Sequence, residues 1–303
     1  MNHLEAEKQL NISRGTLSQV FVTLFAHPPT PEALWSILPP LTPDQPWVLG
    51  LDGKWLKRSV IVFVARNSTA GDTLWWQAVF HESAQELIPV LRALRSTLEH
   101  YQYPLPAGLV SDWKGGIVSA SQFIFGLLPH QRCVPHVVRT LKLLLPASSP
   151  ILATQELRSL ALQLEQMQTY EDYATYQLGL GAWYSTHGSL LKVITRGVHT
   201  KRRWWYTHGD LRRAWRLMTM NNHNQFLFLE HPFLPKTNNS IEGTFSQAKS
   251  KLSLHRGWKI PQQTSFLYWY FALQRIATPA DMRRLWDIWR RRLYQPRDTR
   301  NCT

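Results

Sequence analysis

The sequence has little cysteine, few acidic residues and no long apolar segment. Only Cys133 and Cys302 occur among its 303 residues, too few for a disulfide framework or for a four-cysteine zinc site within one chain. No apolar run approaches the ~20 residues of a membrane-spanning helix. The first residues, MNHLEAEKQL, lack the basic and apolar regions of a secretory signal peptide. These absences predict a cytoplasmic protein with reduced thiols and no membrane partner.

The shortage of acidic residues gives the chain a strong positive charge. The sequence has 34 Lys and Arg against 20 Asp and Glu, a net charge of +14 and a pI near 10.0. Such a charge predicts a polyanionic partner. The basic residues concentrate in 192–216 and 283–300, where Trp and Tyr lie among them. Arg beside aromatic residues suits phosphates and unstacked bases, although a solvated helix face is the more usual role of a charged run.

The N-terminal residues are predicted to form two short helices. Residues 4–25 contain a turn at 11–13, and apolar residues recur at helical spacing after it. This pattern is typical of a helix-turn-helix, whose second helix would present Arg14, Thr16 and Gln19 to a DNA groove. Acidic residues outnumber basic ones over 1–46, so a plain helical hairpin is the alternative. The prolines clustered between 28 and 46 predict a stiff linker without regular structure.

The pattern changes to strands at residue 47. Strands are predicted at 47–52, 58–66, 73–80, 107–111 and 131–134, with helices at 83–101 and 115–125. The order βββαβαβ predicts a mixed sheet flanked by helices, an α/β (α+β) fold. Residues 137–235 show no comparable strand run and predict a helical insertion. Ser240 is expected to cap a helix that carries Glu242, and residues 262–293 to close the fold as helix.

These patterns predict five segments. They are a helix-turn-helix-like element at 1–27, a linker at 28–46, a core with the mixed sheet at 47–145 and 237–293, an all-helical insertion at 146–236, and a basic tail at 294–303.

Three acidic residues lie in or beside predicted strands and helices, where together they could bind a metal ion. Asp52 interrupts an apolar run at 47–64, Asp112 follows a predicted strand, and Glu242 lies near the start of a helix. Carboxylates on adjacent strands, joined by a third from a helix, hold Mg²⁺ or Mn²⁺ for phosphoryl chemistry. Each residue also has a simpler interpretation: Asp52-Gly53 as a hairpin turn, Asp112 as a helix cap, and Glu242 on a solvated helix face.

The order of these residues resembles a known family. After Asp52 and Asp112 come Cys133 and His136 in a C-x-x-H spacing, then the insertion, then residues 237–243, which read TNNSIEG. This order is similar to DDE transposases, and more narrowly to the bacterial insertion-sequence and Mutator-like branch. Residues 204–208 and 254–257 also resemble that branch. The resemblance covers about residues 47–260.

The resemblance implies a retroviral-integrase-like, RNase H-like core in which Asp52, Asp112 and Glu242 bind two Mg²⁺ or Mn²⁺ ions. It implies a DNA transposase that cuts and joins strands at double-stranded transposon ends and target DNA, as a homodimer or larger assembly, associated with the nucleoid when bound. The alternatives are a non-catalytic or domesticated DNA-binding protein and a general RNase H-like nuclease.

Other residues are assigned to the edge of this site. His136 is expected to orient a carboxylate or contact a phosphate, with Cys133 packed behind it. The alternative for His136 is a satisfied core histidine, and a zinc site is disfavoured because no second Cys/His pair lies nearby in sequence. The remaining predicted DNA contacts are Lys114, Arg139, Arg202, Arg203, Arg212, Arg213, His255 and Arg256.

Overall fold

The computed structural model describes residues 13–197, 203–220 and 222–294, except for the side chains of residues 14, 292 and 294. The strands are β1 (Val48–Leu56), β2 (Val60–Asn67), β3 (Asp72–Val79), β4 (Gly108–Ser111), β5 (His130–Arg132), β6 (Ile194–Arg196) and β7 (Trp204–Tyr206). The α-helices are α1 (Arg14–Ala26), α2 (Pro31–Trp35), α3 (Ala84–His100), α4 (Gly115–Phe125), α5 (Val134–Leu144), α6 (Leu152–Gln166), α7 (Tyr170–His187), α8 (Gly209–Thr219), α9 (Leu227–Glu230), α10 (Asn239–Ser253), α11 (Ile260–Leu273) and α12 (Pro279–Tyr294).

The main sheet has five strands in the order β3-β2-β1-β4-β5. Strands β1, β2 and β3 pair antiparallel, and β4 and β5 pair parallel. The prediction of a mixed sheet in an α+β fold is confirmed at this level. No helix in the described ranges is long and apolar enough to cross a membrane.

Strand β1 runs through the Asp52-Gly53 pair without turning. Asp52 pairs with Val64 and Gly53 with Phe63, and the pairing continues to Leu56 and Val60. The hairpin tip lies beyond β1, where Lys57 and Arg58 have φ values of 46° and 59°. The hairpin interpretation of Asp52-Gly53 is therefore wrong, because the apolar side chains after Gly53 continue the strand.

The proline-rich segment contains regular structure and belongs to the core. Thr30 caps α2 and Pro31 occupies its first turn, where proline is favourable because its ring fixes a helical φ. Trp35 is fully buried and its Nε1 donates to the carbonyl of Leu74 at 2.9 Å. The prediction of a linker without regular structure is wrong for residues 31–35.

Helix α1 is anchored at its C-terminal end. Ser13 accepts a hydrogen bond from the backbone of Thr16, which caps the first turn. At the other end, Ser265 donates to the carbonyl of Phe25 and Trp269 donates to that of Leu24. The first helix of the predicted helix-turn-helix lies outside the described residues, so that motif stays a prediction.

Contacts divide the chain into two compact units. Within the described residues, unit 1 comprises 13–107, 114–127 and 239–294, and unit 2 comprises 108–113, 128–197, 203–220 and 222–238. The core of unit 1 includes Val64, Trp76 and Phe271. The core of unit 2 is formed by apolar faces of α5 to α8, with Leu157 and Tyr176 among its buried residues. The predicted core with the mixed sheet instead kept residues 108–113 and 128–145 apart from the insertion.

The segment between 146 and 236 is not all-helical. Strands β6 and β7 form a two-stranded antiparallel ribbon in which Ile194 pairs with Tyr206 and Arg196 with Trp204. The prediction was wrong because each strand has three residues, too few to show a period of two. Their β-branched and aromatic composition does favour strands.

Candidate active site and nucleic-acid interface

Asp52 is a buried carboxylate in the interior of a strand. It is 7% exposed, and the backbone N–H of Gly53 donates to its Oδ1 at 2.8 Å. Strands contain few Asp residues, and a buried ionised carboxylate is costly unless it is paired or coordinated. This position in unit 1 is therefore compatible with the predicted metal-binding role.

Glu82 is a second buried carboxylate of unit 1, which sequence reasoning missed. Its side chain is 7% exposed and its Oε2 lies 2.6 Å from Nζ of Lys114. It also lies over Gly53, since a Cβ on that glycine would come within 2.3 Å of Glu82 Oε1. Lys114, a predicted phosphate contact, is thus ion-paired and 42% exposed. Glu82 stands in a loop, where periodicity gives no signal.

Glu242 lies in the first turn of α10 and is half-buried. Negative charge is favourable there because the peptide dipoles leave the helix N-terminus partially positive. The same helix buries Ile241 and Phe245 in the core of unit 1, and Thr244 accepts a hydrogen bond from Arg66 at 3.0 Å. The alternative of a fully solvated face does not fit a half-buried side chain.

Asp112 directly follows β4 in unit 2, at a constrained turn. The backbone N–H of Trp113 donates to Ser111 Oγ at 3.1 Å, and Trp113 has a φ of 67°. Ser111 Oγ lies 2.8 Å from Nε2 of His130. Lys114 occupies the N-cap position of α4, so the interpretation of Asp112 as that cap is wrong.

Two basic residues of β5 interact electrostatically with Asp112. Burial lowers the pKa of His130 to about 4, and the charge of Asp112 opposes this shift. Burial also lowers the pKa of the Arg132 guanidinium, again opposed by Asp112. Sequence reasoning gave neither residue a role, although Arg132 lies within the strand predicted at 131–134 and His130 directly precedes it.

The C-x-x-H residues lie at the start of α5. Cys133 is the N-cap residue and is fully buried, and its sulfur accepts a hydrogen bond from the backbone N–H of Asn238 at 3.3 Å. The backbone N–H of Val134 donates to the carbonyl of Lys236. Cys133 thus helps to fix the segment that precedes α10, while His136 is half-buried in the first turn of α5.

The candidate metal ligands differ in chemistry: in unit 2 Cys133 offers a thiol and His136 an imidazole, whereas in unit 1 Glu242 offers a carboxylate. Thiolate and imidazole ligands favour Zn²⁺, whereas Mg²⁺ and Mn²⁺ prefer carboxylate oxygens. The expectation of Mg²⁺ therefore depends on the carboxylates of Asp52, Asp112 and Glu242. Their donor chemistry fits a hard divalent cation.

The predicted DNA contacts are spread over the molecule. On α1, Thr16 and Gln19 are exposed, and the helix begins at Arg14. Arg139 is exposed on α5. Arg256 is exposed in the turn after α10, where His255 stacks on Trp258 with centroids 3.9 Å apart. Arg202 lies outside the described residues.

The ribbon β6–β7 lines a cationic groove of about 680 Å³ within unit 2. We call it the ribbon groove, and its lining residues are Lys192, Ile194, Arg196, Arg203, Trp204, Tyr206 and Arg212. Of the predicted DNA contacts, the structure brings Arg203 and Arg212 together here. Arg213 lines an adjacent groove and lies 3.3 Å from Asp210. Lys192, Arg196 and the aromatic residues were not assigned from the sequence.

No protein-family model and no curated protein matches this chain. The resemblance to DDE transposases rests on the sequence motifs.

Proposed function

We propose that this protein is a DNA transposase that cuts and joins strands through Asp52, Asp112 and Glu242. The observation that carries the proposal is the burial of Asp52 in the interior of β1. Burial of a carboxylate costs stability, and an apolar residue at this position would avoid that cost. The presence of Asp52 there therefore favours a functional role for its charge. The order of Asp52, Asp112, the C-x-x-H pair and Glu242 resembles that of DDE transposases, and this resemblance indicates cutting and joining of DNA strands.

Two further features support the proposal. Asp112 lies at the carboxyl end of β4, in a turn fixed by Ser111 and His130, as expected for a ligand that must be held rigidly. The strand order β3-β2-β1-β4-β5 is compatible with an RNase H-like core. The net charge of +14 suits a DNA substrate.

The three carboxylates would hold two Mg²⁺ or Mn²⁺ ions. Such ions supply activation of water or a 3′ hydroxyl and stabilisation of the leaving oxygen. The protein residues bind the substrate and position its reacting phosphate, acting on double-stranded transposon ends as a dimer or larger assembly. In this proposal His136 contacts a carboxylate or phosphate at the edge of the site.

The test is cleavage of DNA taken from the two flanks of the gene, where terminal repeats are expected. Asp52→Asn, Asp112→Asn and Glu242→Gln remove one charge each with little change in volume. Each variant is expected to lose at least about 100-fold in Mg²⁺-dependent cleavage while its DNA affinity stays within about twofold, because such a charge contributes several kcal/mol to the transition state. Cleavage on sequencing gels and a gel-shift assay measure the two properties.

Two exposed carboxylates provide matched controls. Asp44→Asn and Glu171→Gln make the same chemical changes at exposed positions, and both should cleave like the parent. A triad variant with parental cleavage would remove that residue from the active site.

A non-catalytic DNA-binding protein is the second candidate, and the ribbon groove favours it because DNA binding there needs no metal. Binding by the parent without any Mg²⁺-dependent cutting of either flank would support this candidate over the transposase. Cutting without strand joining or preference for the ends would instead identify a general nuclease.

A further inference from the structure

The ribbon groove combines uncompensated cations with an exposed aromatic ring. Lys192, Arg196 and Arg203 are exposed and form no ion pair within the described part of the chain. The described lining also contains no carboxylate. The groove therefore has the charge to attract phosphates.

The strand register places the aromatic and basic side chains on one face of the ribbon. Ile194 pairs with Tyr206 and Arg196 with Trp204. Side chains on a strand alternate between its faces, so Trp204 and Tyr206 share a face while Trp205 lies on the other. Trp204 is thus held beside Arg196, with its ring near the cations.

Tyr206 is held by its neighbours, whereas Trp204 keeps an accessible ring. The guanidinium of Arg212 lies 3.9 Å from the centroid of the Tyr206 ring, and its Nη1 donates to the carbonyl of Leu191 at 2.8 Å. The ring of Trp204 meets that of Tyr206 edge-on at 5.4 Å and 89°. Trp204 is nevertheless 53% exposed, so it presents ring surface to a ligand.

We propose that the ribbon groove binds single-stranded DNA by stacking an unpaired base on Trp204 and holding the adjoining phosphates with Lys192, Arg196 and Arg203. Bases within a duplex already stack on one another, so an exposed indole gains a base contact only where a base is unpaired. The groove volume of about 680 Å³ lies within the usual range of about 300–1,000 Å³ for ligand sites. This inference goes beyond strand cutting, because it concerns binding by residues of unit 2 that needs neither a metal nor the three carboxylates.

The experiment measures binding of the full chain to a fluorescent oligothymidylate of about 16 nucleotides, a length that covers such sites, in EDTA so that no cutting occurs. Trp204→Ala is expected to weaken binding by roughly 5- to 100-fold, the range that follows from loss of one base-aromatic stack. Trp204→Phe should restore most of the affinity. Trp205→Ala, on the opposite face of the same strand, is the matched control and should bind within about twofold of the parent.

An abasic oligomer of the same length separates stacking from charge. It keeps the phosphates but has no bases, so Trp204→Ala and the parent should bind it equally. Parental binding of oligothymidylate by Trp204→Ala would overturn the proposal, and so would an equal loss with the abasic oligomer. A duplex of the same length that showed the full loss would also overturn it.

The outcome is separable from that of the proposed transposase function. No metal-dependent cutting occurs in EDTA, and Glu171→Gln, an exposed control, should bind oligothymidylate like the parent. Loss of binding in Trp204→Ala alone therefore reports on the groove, whatever the cleavage assay shows.

Discussion

Ser111 determines the local geometry of the turn at Asp112. Its hydroxyl accepts the N–H of Trp113 and lies at hydrogen-bond distance from Nε2 of His130. The Ser111 hydroxyl oxygen thus contacts both Trp113 and His130 and fixes the backbone around Asp112. The ring centroids of Trp113 and His130 lie 4.7 Å apart. A buried histidine in this position is stable only while it is neutral, because its proton would add a charge where solvent is excluded.

Acid should destabilise the fold through His130. The pKa of this residue is about 4 in the folded chain, against 6.5 ordinarily. Between these two values the unfolded chain binds a proton that the folded chain does not, so the free energy of unfolding falls as pH falls. Lowering the pH from 7 to 5 should cost about 2 kcal/mol through this residue.

Urea unfolding of His130→Gln measures this contribution. The variant keeps a polar side chain near Ser111 but cannot titrate, so its stability should fall less than that of the parent between pH 7 and 5. His100→Gln, at an exposed position, is the control and should follow the parent. An identical pH dependence of His130→Gln and the parent would contradict the assignment.

The start of α4 illustrates how two adjacent glycines differ. A Cβ on Gly116 would lie 1.8 Å from the carbonyl oxygen of Glu82, whereas a Cβ on Gly115 would meet nothing within 4 Å. Gly116 is therefore needed for the close approach of α4 to the loop that carries Glu82. That approach also sets the Lys114–Glu82 ion pair.

Gly116→Ala should destabilise the protein by about 1–3 kcal/mol or more, because backbone atoms of Glu82 must move. Gly115→Ala should leave stability within about 1 kcal/mol, in the stabilising direction that alanine gives inside a helix. The midpoints of urea unfolding curves measure both. Equal effects of the two substitutions would show that the contact with Glu82 does not limit the packing of α4.

Elements with a strong pattern could be predicted, and short ones could not. Helix α3 was expected from Ser83 and its apolar face, and the structure has Ala84–His100 with Ser83 as the cap. Strands β6 and β7 were missed because three residues each are too few to show a period of two, although their composition favours strands. Helix α2 was missed because prolines suggested a linker, while the burial of Trp35 could not be inferred.

At the scale of the whole molecule, the excess of positive charge favours any polyanion. The ribbon groove and helix α12 both carry basic residues, but in different surroundings. The ribbon groove collects its cations around aromatic rings, whereas α12 carries Arg283 and Arg284 in exposed positions. Arg284 lies 3.9 Å from Asp281, so part of that charge is offset.

The salt dependence of binding should identify which surface contacts DNA. Replacing Lys192, Arg196 and Arg203 together by Ala should make the slope of log Kd against log salt for oligothymidylate shallower by about 2, since each phosphate contact on a single strand contributes about 0.7. The same change at Arg283, Arg284 and Arg290 is the matched control and should leave the slope nearly unchanged. A larger effect of the control set would move the binding surface to α12.

The sequence by itself determined the charge, the mixed α+β pattern and the order of Asp52, Asp112, the C-x-x-H pair and Glu242. These follow from composition, from periodicity and from the spacing of residue types along the chain. The tertiary structure decided that Asp52 lies within a strand and not at a hairpin tip. It also revealed Glu82, Ser111, His130 and the ribbon groove. These depend on pairing and burial between segments distant in sequence, which no local pattern records.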